Sequence, residues 1–400
     1  MGGCLGVSVS GPLEGFAEGF RAGLAGLGYS ARGSQAQLRL MKHVSGWMSA
    51  RGLATGGLTD EAADRFVADR RRSHRGLRSS RALVPLLAYL RSRGAIPPAV
   101  VVVTGPTDVL LERFSSYLSC ERGLAAATVR SYVSQVRPFV VGHVDAGWGA
   151  LTARQVAVFV TGRSVTQRPR SVAVGANALR ALLRWMWREG MVSSPLLADA
   201  VGKIAAPAGN VPRRALSRGE IADLAARLPD GPVRLRNEPM LALMWRLGLR
   251  AGEVGALRLD DLDWRAGVVL VRGKRRRLDH VPLPVDTGEL LARYLSRGRP
   301  RGGARREVFL ALDAPHGPLG AAAVSSVAAR ALADAGIVGR GGAHRLRHTA
   351  ACGVLAAGGG LVEVGQLLRH SSPETSAIYA RSDDAALAAL AHPWPIGVTR

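Results

Sequence analysis

The sequence predicts a mainly helical protein with a small antiparallel β-sheet confined to its C-terminal domain. Three observations carry this. Apolar residues recur at three- and four-residue spacing between 31 and 200, for example Leu40, Val44, Trp47 and Met48, then Leu179, Leu182, Leu183 and Met186, which is the period of one helix face. Strand-like alternation is concentrated in "AGVVLVRGKRRRLDHVPLP" (266–284), two runs around the turn "GKRR", the pattern of a hairpin. A chain of 400 residues also exceeds what one core usually organises, so two or three domains are expected.

Taken in order, residues 1–30 are glycine-rich and weakly patterned, and are read as a loose tail with at most one short helix. Next come two helical stretches, 31–98 and 105–200. "GLTDEAADRFV" (57–67) aligns with "ALTARQVAVFV" (150–160), matching Leu58 to Leu151, Thr59 to Thr152 and Phe66 to Phe159. "ALVPLLAYLRSRG" (82–94) aligns with "ALRALLRWMWREG" (178–190) at an offset three residues larger. The pattern fits two related modules, or two independent amphipathic bundles. "APAGNVPRR" (206–214) has no periodicity and marks a basic linker within 201–215. Ser217 followed by Glu220 is a capping box that opens a new domain, expected to run over 216–385 with a tail over 386–400. Inside it the helix of "EPMLALMWRLGLRAGEVGAL" should break at Gly248, the hairpin should follow, and helices are expected over 321–337 and from Gly342 onward.

Composition narrows the function. The 54 basic residues outnumber 30 acidic ones, for a net charge of +24, a field that attracts polyanions. Nucleic acid is the first candidate; a ribosome or an acidic lipid surface satisfies charge alone equally. Cys4, Cys120 and Cys352 share no close spacing, which points away from a disulfide framework and towards a reducing compartment. With no apolar run of membrane-spanning length and no basic start of a secretory signal, the expected protein is soluble and cytoplasmic. Only Lys42, Lys203 and Lys274 are lysine. Each therefore raises the question of why arginine would not serve, and one answer is that an ammonium can give up its proton.

Two segments concentrate chemistry. "GGAHRLRHTAA" (341–351) opens a helix with His344, Arg347 and His348 in its first turns. Helix-start amides favour anions, and an arginine fork fits two phosphate oxygens. The spacing of His344 and His348 also suits a zinc pair, whose third ligand is not evident, and His348 by itself reads as a packed histidine. "LLRHSSPETSAIYARSD" holds His370 and then a helix start at Ser372, Pro373 and Glu374, which sets Tyr379 about two turns along. Read alone, Tyr379 is as much a core residue as a functional one.

Together these residues resemble a known set. Arg250 in "GLRAGE", Lys274 in "RGKRRR", His344 and Arg347 in "HRLRHT", His370 in "LLRHSS" and Tyr379 in "AIYA" match, in order and interval, the six catalytic residues of the tyrosine recombinase (phage integrase) family. The likeness extends over about residues 215–385. It implies a two-lobed clamp on double-stranded DNA: a helical core-binding module over 105–200 and a mixed α+β catalytic domain after the linker, with 31–98 as an additional, arm-like DNA-binding module. It further implies that Tyr379 attacks the phosphodiester, that Arg250 and Arg347 hold its non-bridging oxygens, that Lys274 protonates the leaving oxygen, and that His344 and His370 assist. Glu253 is expected to fix an arginine or a histidine, with His348 in a supporting place. Arg213, Arg214, Arg275, Arg276 and Arg277 are expected along the DNA backbone. Neither metal nor ATP is required by such chemistry, and a tetramer on two DNA sites is implied; integration, excision or transposition of a mobile element and resolution of chromosome dimers all fit. The alternatives are a non-catalytic DNA-binding accessory protein of transposition and a DNA-relaxing topoisomerase of type IB chemistry. The short apolar stretch "DDAALAALAHPW" (383–394) resembles the segment that such recombinases exchange between subunits. Three departures from the family pattern stand out: Arg369 where glycine is common, no second glycine in the hairpin turn, and Ala350 where a large aromatic is common.

Overall fold

A computed structural model describes residues 7–73, 80–98, 105–202, 204, 214–273, 277–301, 305–339 and 341–369. The chain divides into two units, residues 99–211 and the remainder.

The first unit to consider, 99–211, is built from α5 (Pro106–Ser116), α6 (Ala126–His143), α7 (Ala153–Thr166) and α8 (Pro169–Arg188). Proline at the first turn of α5 and of α8 suits the helix start, where no amide partner is needed. Thr152 and Gln155 form a reciprocal capping box on α7. The four helices enclose Phe114, Leu118, Val136, Phe139, Leu182 and Met186, all without solvent exposure. Burying each such side chain contributes roughly 1.5–3 kcal/mol.

The other unit contains two large cores, over 7–98 and 214–369, and a small apolar cluster of Ala351, Val364 and Leu368. Over 7–98 it has α1 (Ala17–Gly26), α2 (Ala31–Ser49), α3 (Asp60–Ser73) and α4 (Val84–Ser92). The expectation of a loose tail over 1–30 is corrected for residues 7–30: Val9, Leu13, Phe20 and Leu24 are buried in this core. The tail reading followed glycine content, but Phe20 and Leu24, four apart on α1, and Val9 and Leu13 in the irregular segment before it all reach the same core. Ser45, fully buried on α2, locks the segment by accepting from the Leu13 amide (3.1 Å) and donating to the Ser10 carbonyl (2.6 Å).

Over 214–369 the order is α9 (Arg218–Ala226), α10 (Pro232–Arg246), α11 (Ala251–Ala256), β1 (Leu262–Asp263), β2 (Val268–Arg272), β3 (Leu278–Pro282), α12 (Val285–Arg293), α13 (Ala321–Asp334), α14 (Gly342–Ala356) and α15 (Leu361–Leu368). The Ser217 and Glu220 capping box opens α9 as the sequence predicts. The sheet is antiparallel in the order β1-β2-β3, with Val268 opposite Pro282 and Arg272 opposite Leu278. Val269, Val271 and Val281 face the core, and the alternation that revealed the hairpin is this one-sided burial. The two-residue β1 lies outside the expected hairpin. Its partner register sets Leu262 opposite Val269. Tyr294 is fully buried, stacked on Phe309 at 5.4 Å, and its hydroxyl accepts from the Leu310 amide at 3.2 Å.

Tyr294→Phe removes that acceptor without changing the packed ring and leaves a buried amide unmatched. The expected loss is about 1–3 kcal/mol in urea unfolding; an unchanged midpoint and slope would show that the hydroxyl contributes nothing.

Candidate active site

The candidate site begins where α10 stops. Gly248 takes φ of +62°, and a side chain there would place its Cβ 2.5 Å from Leu368 Cδ2, so both backbone and space call for glycine. The Leu249 amide folds back to the Leu243 carbonyl at 3.2 Å, which leaves Arg250 in extended backbone as the residue that caps α11. Glu253, three residues on, accepts from the Arg250 amide at 2.9 Å and from its guanidinium at 2.7 Å. The Arg250 side chain is 42% exposed and that of Glu253 is 6% exposed. One member of the pair thus faces solvent while the other anchors it.

Two more guanidinium groups come to the same carboxylate from the far end of the domain. Arg369, 116 positions later, donates to Glu253 Oε2 at 2.8 Å and to the Leu367 carbonyl at 2.9 Å. Arg347 lies 4.0 Å from Glu253 Oε2 and donates to the carbonyls of Gly248 and Leu368. Burial opposes ionisation of Glu253, but the Arg250 amide and the Arg369 guanidinium outweigh it and hold the carboxyl below its ordinary range. Three cations therefore meet at one buried anion.

The sequence-predicted residues fall as follows. Arg250, Glu253 and Arg347 are brought together. His344 is in the first turn of α14 and exposed, whereas Arg347, three residues on, is buried. Its terminal nitrogens serve the carbonyls at the ends of two helical segments, which would otherwise be short of donors. His348 is buried, with Nε2 3.5 Å from Cys352 Sγ, in keeping with a packed histidine. Among the described residues no cluster of three His, Cys, Asp or Glu side chains is placed to hold a metal ion. Arg214 is exposed and pairs with Glu220; Arg277 is exposed and pairs with Asp279 at 2.8 Å. Lys274, Arg275 and Arg276 lie outside the described residues, between Gly273 and Arg277, whose backbones close the hairpin at 2.8 Å. Arg213, His370, Tyr379 and the 383–394 segment also lie outside them.

Two arginines escaped the sequence reading. Arg369 stood out only as a departure from glycine, yet it occupies the left-handed conformation that glycine would fill, at φ of +53°. A non-glycine residue there costs on the order of 1 kcal/mol, which the buried ion pair offsets. Arg345 is buried and donates to the carbonyls of Arg214 (3.1 Å) and Val338 (2.9 Å). With the Leu216 amide on Thr349 Oγ1 at 3.0 Å, it pins the start of this domain to α14. An arginine-rich background hid both, since only the distant partner distinguishes them.

Comparison with known proteins places this geometry. Residues 214–386 match the model of the phage integrase family, and residues 111–190 match that of the phage integrase N-terminal SAM-like domain. A putative integrase/recombinase, y4rA, of Sinorhizobium fredii is 34% identical over 96% of this chain and 95% of its own length. The tyrosine recombinase XerD of Lacticaseibacillus casei is 32% identical over 71% of this chain and 97% of its own, so more than a quarter of this chain has no counterpart there. The crystal structure of the XerH site-specific recombinase bound to palindromic difH substrate is similar in fold, with a TM-score of 0.57 at 18% identity over 82% of this chain and 93% of that one.

Glu253→Ala should leave the Arg369 guanidinium buried without its anion and lower the unfolding free energy by about 3–5 kcal/mol. In Glu253→Gln the difference from wild type should be full above the ordinary glutamate range and shrink as pH falls through the depressed value, because protonation then removes the same charge in the wild type. A difference that stays flat on acidification would contradict the ion-pair assignment.

Proposed function

The chain belongs to the phage integrase family of tyrosine recombinases, and on that premise we propose that it cuts and rejoins double-stranded DNA at specific sites through a covalent phosphotyrosyl intermediate. The observation that supports this most strongly is the convergence of Arg250 and Arg347 at Glu253. A phosphodiester resists attack through its own charge, and its pentacoordinate transition state carries more, so cations fixed beforehand lower the barrier. Arg250, with a side chain 42% exposed, offers the planar guanidinium that suits non-bridging oxygens in a way that lysine does not, while Arg347, buried with its terminal nitrogens on two backbone carbonyls, adds positive charge behind it and reaches the phosphate only by giving up those carbonyls.

In this reading the Tyr379 phenolic oxygen forms a bond to phosphorus as the bond to the 5′ oxygen breaks. The 3′ phosphate becomes joined to the protein, and the bond energy is kept for rejoining. Lys274 gives a proton to the departing 5′ oxygen; its pKa is open to lowering beside cations, which is why lysine rather than arginine serves there. His344, exposed at the start of α14, donates a hydrogen bond to the reacting phosphate or takes up the proton that the Tyr379 phenol loses as it bonds to phosphorus, and His370 orients a phosphate oxygen or the phenol. Glu253 positions Arg250. Arg213, Arg214 and the hairpin arginines Arg275, Arg276 and Arg277 run along the backbone. The modules over 105–200 and 216–385 close on the duplex from the two sides of the linker, and four protomers act on two sites. No metal or ATP enters the scheme.

Tyr379→Phe should bind a nicked suicide duplex and give no covalent adduct; an adduct that survives this change removes Tyr379 from its role. Lys274→Ala should slow cleavage by about 10²–10⁴-fold, and a 5′-sulfur leaving group, which needs no proton, should restore it. Failure of that rescue assigns the proton to another residue.

A further inference from the structure

The repeat read in the sequence is repeated in three dimensions. The helical module of residues 7–98 and that of 105–201 share the order of their α-helices around one matched 3-10 turn, as helix, longer helix, 3-10 turn, helix, helix; the short segments Glu14–Phe16, Ser80–Leu83, Tyr117–Glu121 and Pro195–Val201 have no counterpart in the other module. The longer helices begin at Ala31 and Ala126, and the 3-10 turns span Thr55–Gly57 and Trp148–Ala150. Next, Thr59 and Thr152 each accept from the amide three residues on, at 3.3 and 3.4 Å.

Backbone and packing details coincide as well. Gly28, Gly52 and Gly94 have positive φ, and so do Gly123, Gly147 and Gly190. Phe20 meets Tyr89 at 5.3 Å and 41°; Phe114 meets Trp185 at 5.4 Å and 41°. Leu86, Leu90 and Ile96 are buried, as are Leu182, Met186 and Val192. Every matched pair lies 93 to 96 residues apart. Two unrelated bundles would share helices but not left-handed glycines and ring angles at the same offsets. The modules are copies.

The copies also share charge. Residues 7–98 carry 14 basic against 6 acidic residues, and 99–211 carry 12 against 6. On α2, Arg32, Arg39 and Lys42 are exposed and fall within about 80° around the helix axis at 3.6 residues per turn. They point away from the stripe of Leu38, Met41, Val44 and Met48 that α2 buries. Among the described residues the module's ion pairs lie elsewhere, Arg51 and Arg72 with Asp69 and Arg91 with Asp60. Lys42 corresponds to Arg137 of the second copy, exposed on its longer helix and paired with Asp108 at 2.8 Å, whereas Arg32 and Arg39 correspond to Ala127 and Ser134, so the basic face belongs to the first copy alone.

We infer that residues 7–98 are a duplicate of the DNA-gripping module and hold a further stretch of duplex through the Arg32, Arg39 and Lys42 face of α2, so that each protomer makes one more DNA contact than the XerD relative. This rests on the proposal that the chain acts on duplex DNA. Phosphate contacts release counterions, and each adds about 0.9 to the slope of affinity against salt on logarithmic axes.

The test compares the full chain with its Arg32→Ala, Arg39→Ala, Lys42→Ala variant, all three positions exposed, on a long random-sequence duplex across a salt series. The expected result is a slope lower by about 2 to 3 and a shorter protected length. An unchanged slope and footprint would overturn the inference, as would an equal loss of affinity on single-stranded RNA. The adduct assay on the same two proteins is a separate readout: duplex binding without any adduct would sink the strand-cutting reading and leave the second grip to be judged by the slope.

Discussion

The described part of the C-terminal domain is organised around the buried carboxylate of Glu253. Glu253 has almost no access to water, and an anion in that position is sustained only by cations and donors brought to it. The Arg250 amide and guanidinium supply one side, Arg369 the other, and Arg347 stands at 4.0 Å. Because these residues come from the start of α11, the middle of α14 and the end of α15, satisfying one charge fixes three segments that are distant in sequence. Arg347 repeats the tie by bonding the carbonyls of Gly248 and Leu368. Removing Gly248 from this arrangement would push Leu368 away and loosen both ties together.

That cross-bracing explains an otherwise strained choice. Glycine at position 369 would adopt the left-handed turn at no cost, yet the chain carries arginine, and the turn is held by its ion pair. The residue after it is His370. The same contact that completes the Glu253 charge balance therefore also fixes the backbone of Arg369, the residue before it. Upstream, Arg345 and Thr349 attach the first residues of the domain to α14, so the linker exit and the arginine cluster share one helix as their reference.

Much of this was legible along the chain and some was not, for physical reasons. The capping box at Ser217, the break at Gly248 and the β2 and β3 pairing are local, and their residues carry the signal within a few positions. The order of Arg250, Arg347 and the other family residues was equally visible. Partner choice was hidden: nothing near Arg369 distinguishes it from dozens of solvated arginines until Glu253, 116 positions away, is brought beside it. Residues 7–30 misled in another way, because Val9 and Leu13 lie in irregular backbone and only Phe20 and Leu24 sit on a helix, so that no periodic stripe marks the segment until it packs against α2. The duplicated modules show the reverse case, in which a loose sequence likeness is sharpened by glycine conformations and ring geometry.

The central claim is that cations held by Glu253 present a DNA phosphodiester to Tyr379. It is tested most directly by mass spectrometry of the protein after trapping on a nicked duplex, nuclease digestion and proteolysis. The account predicts a nucleotide attached through phosphate to the oxygen of Tyr379, on the peptide that follows His370. A nucleotide on any other residue, or intact protein with cleaved DNA, would contradict it.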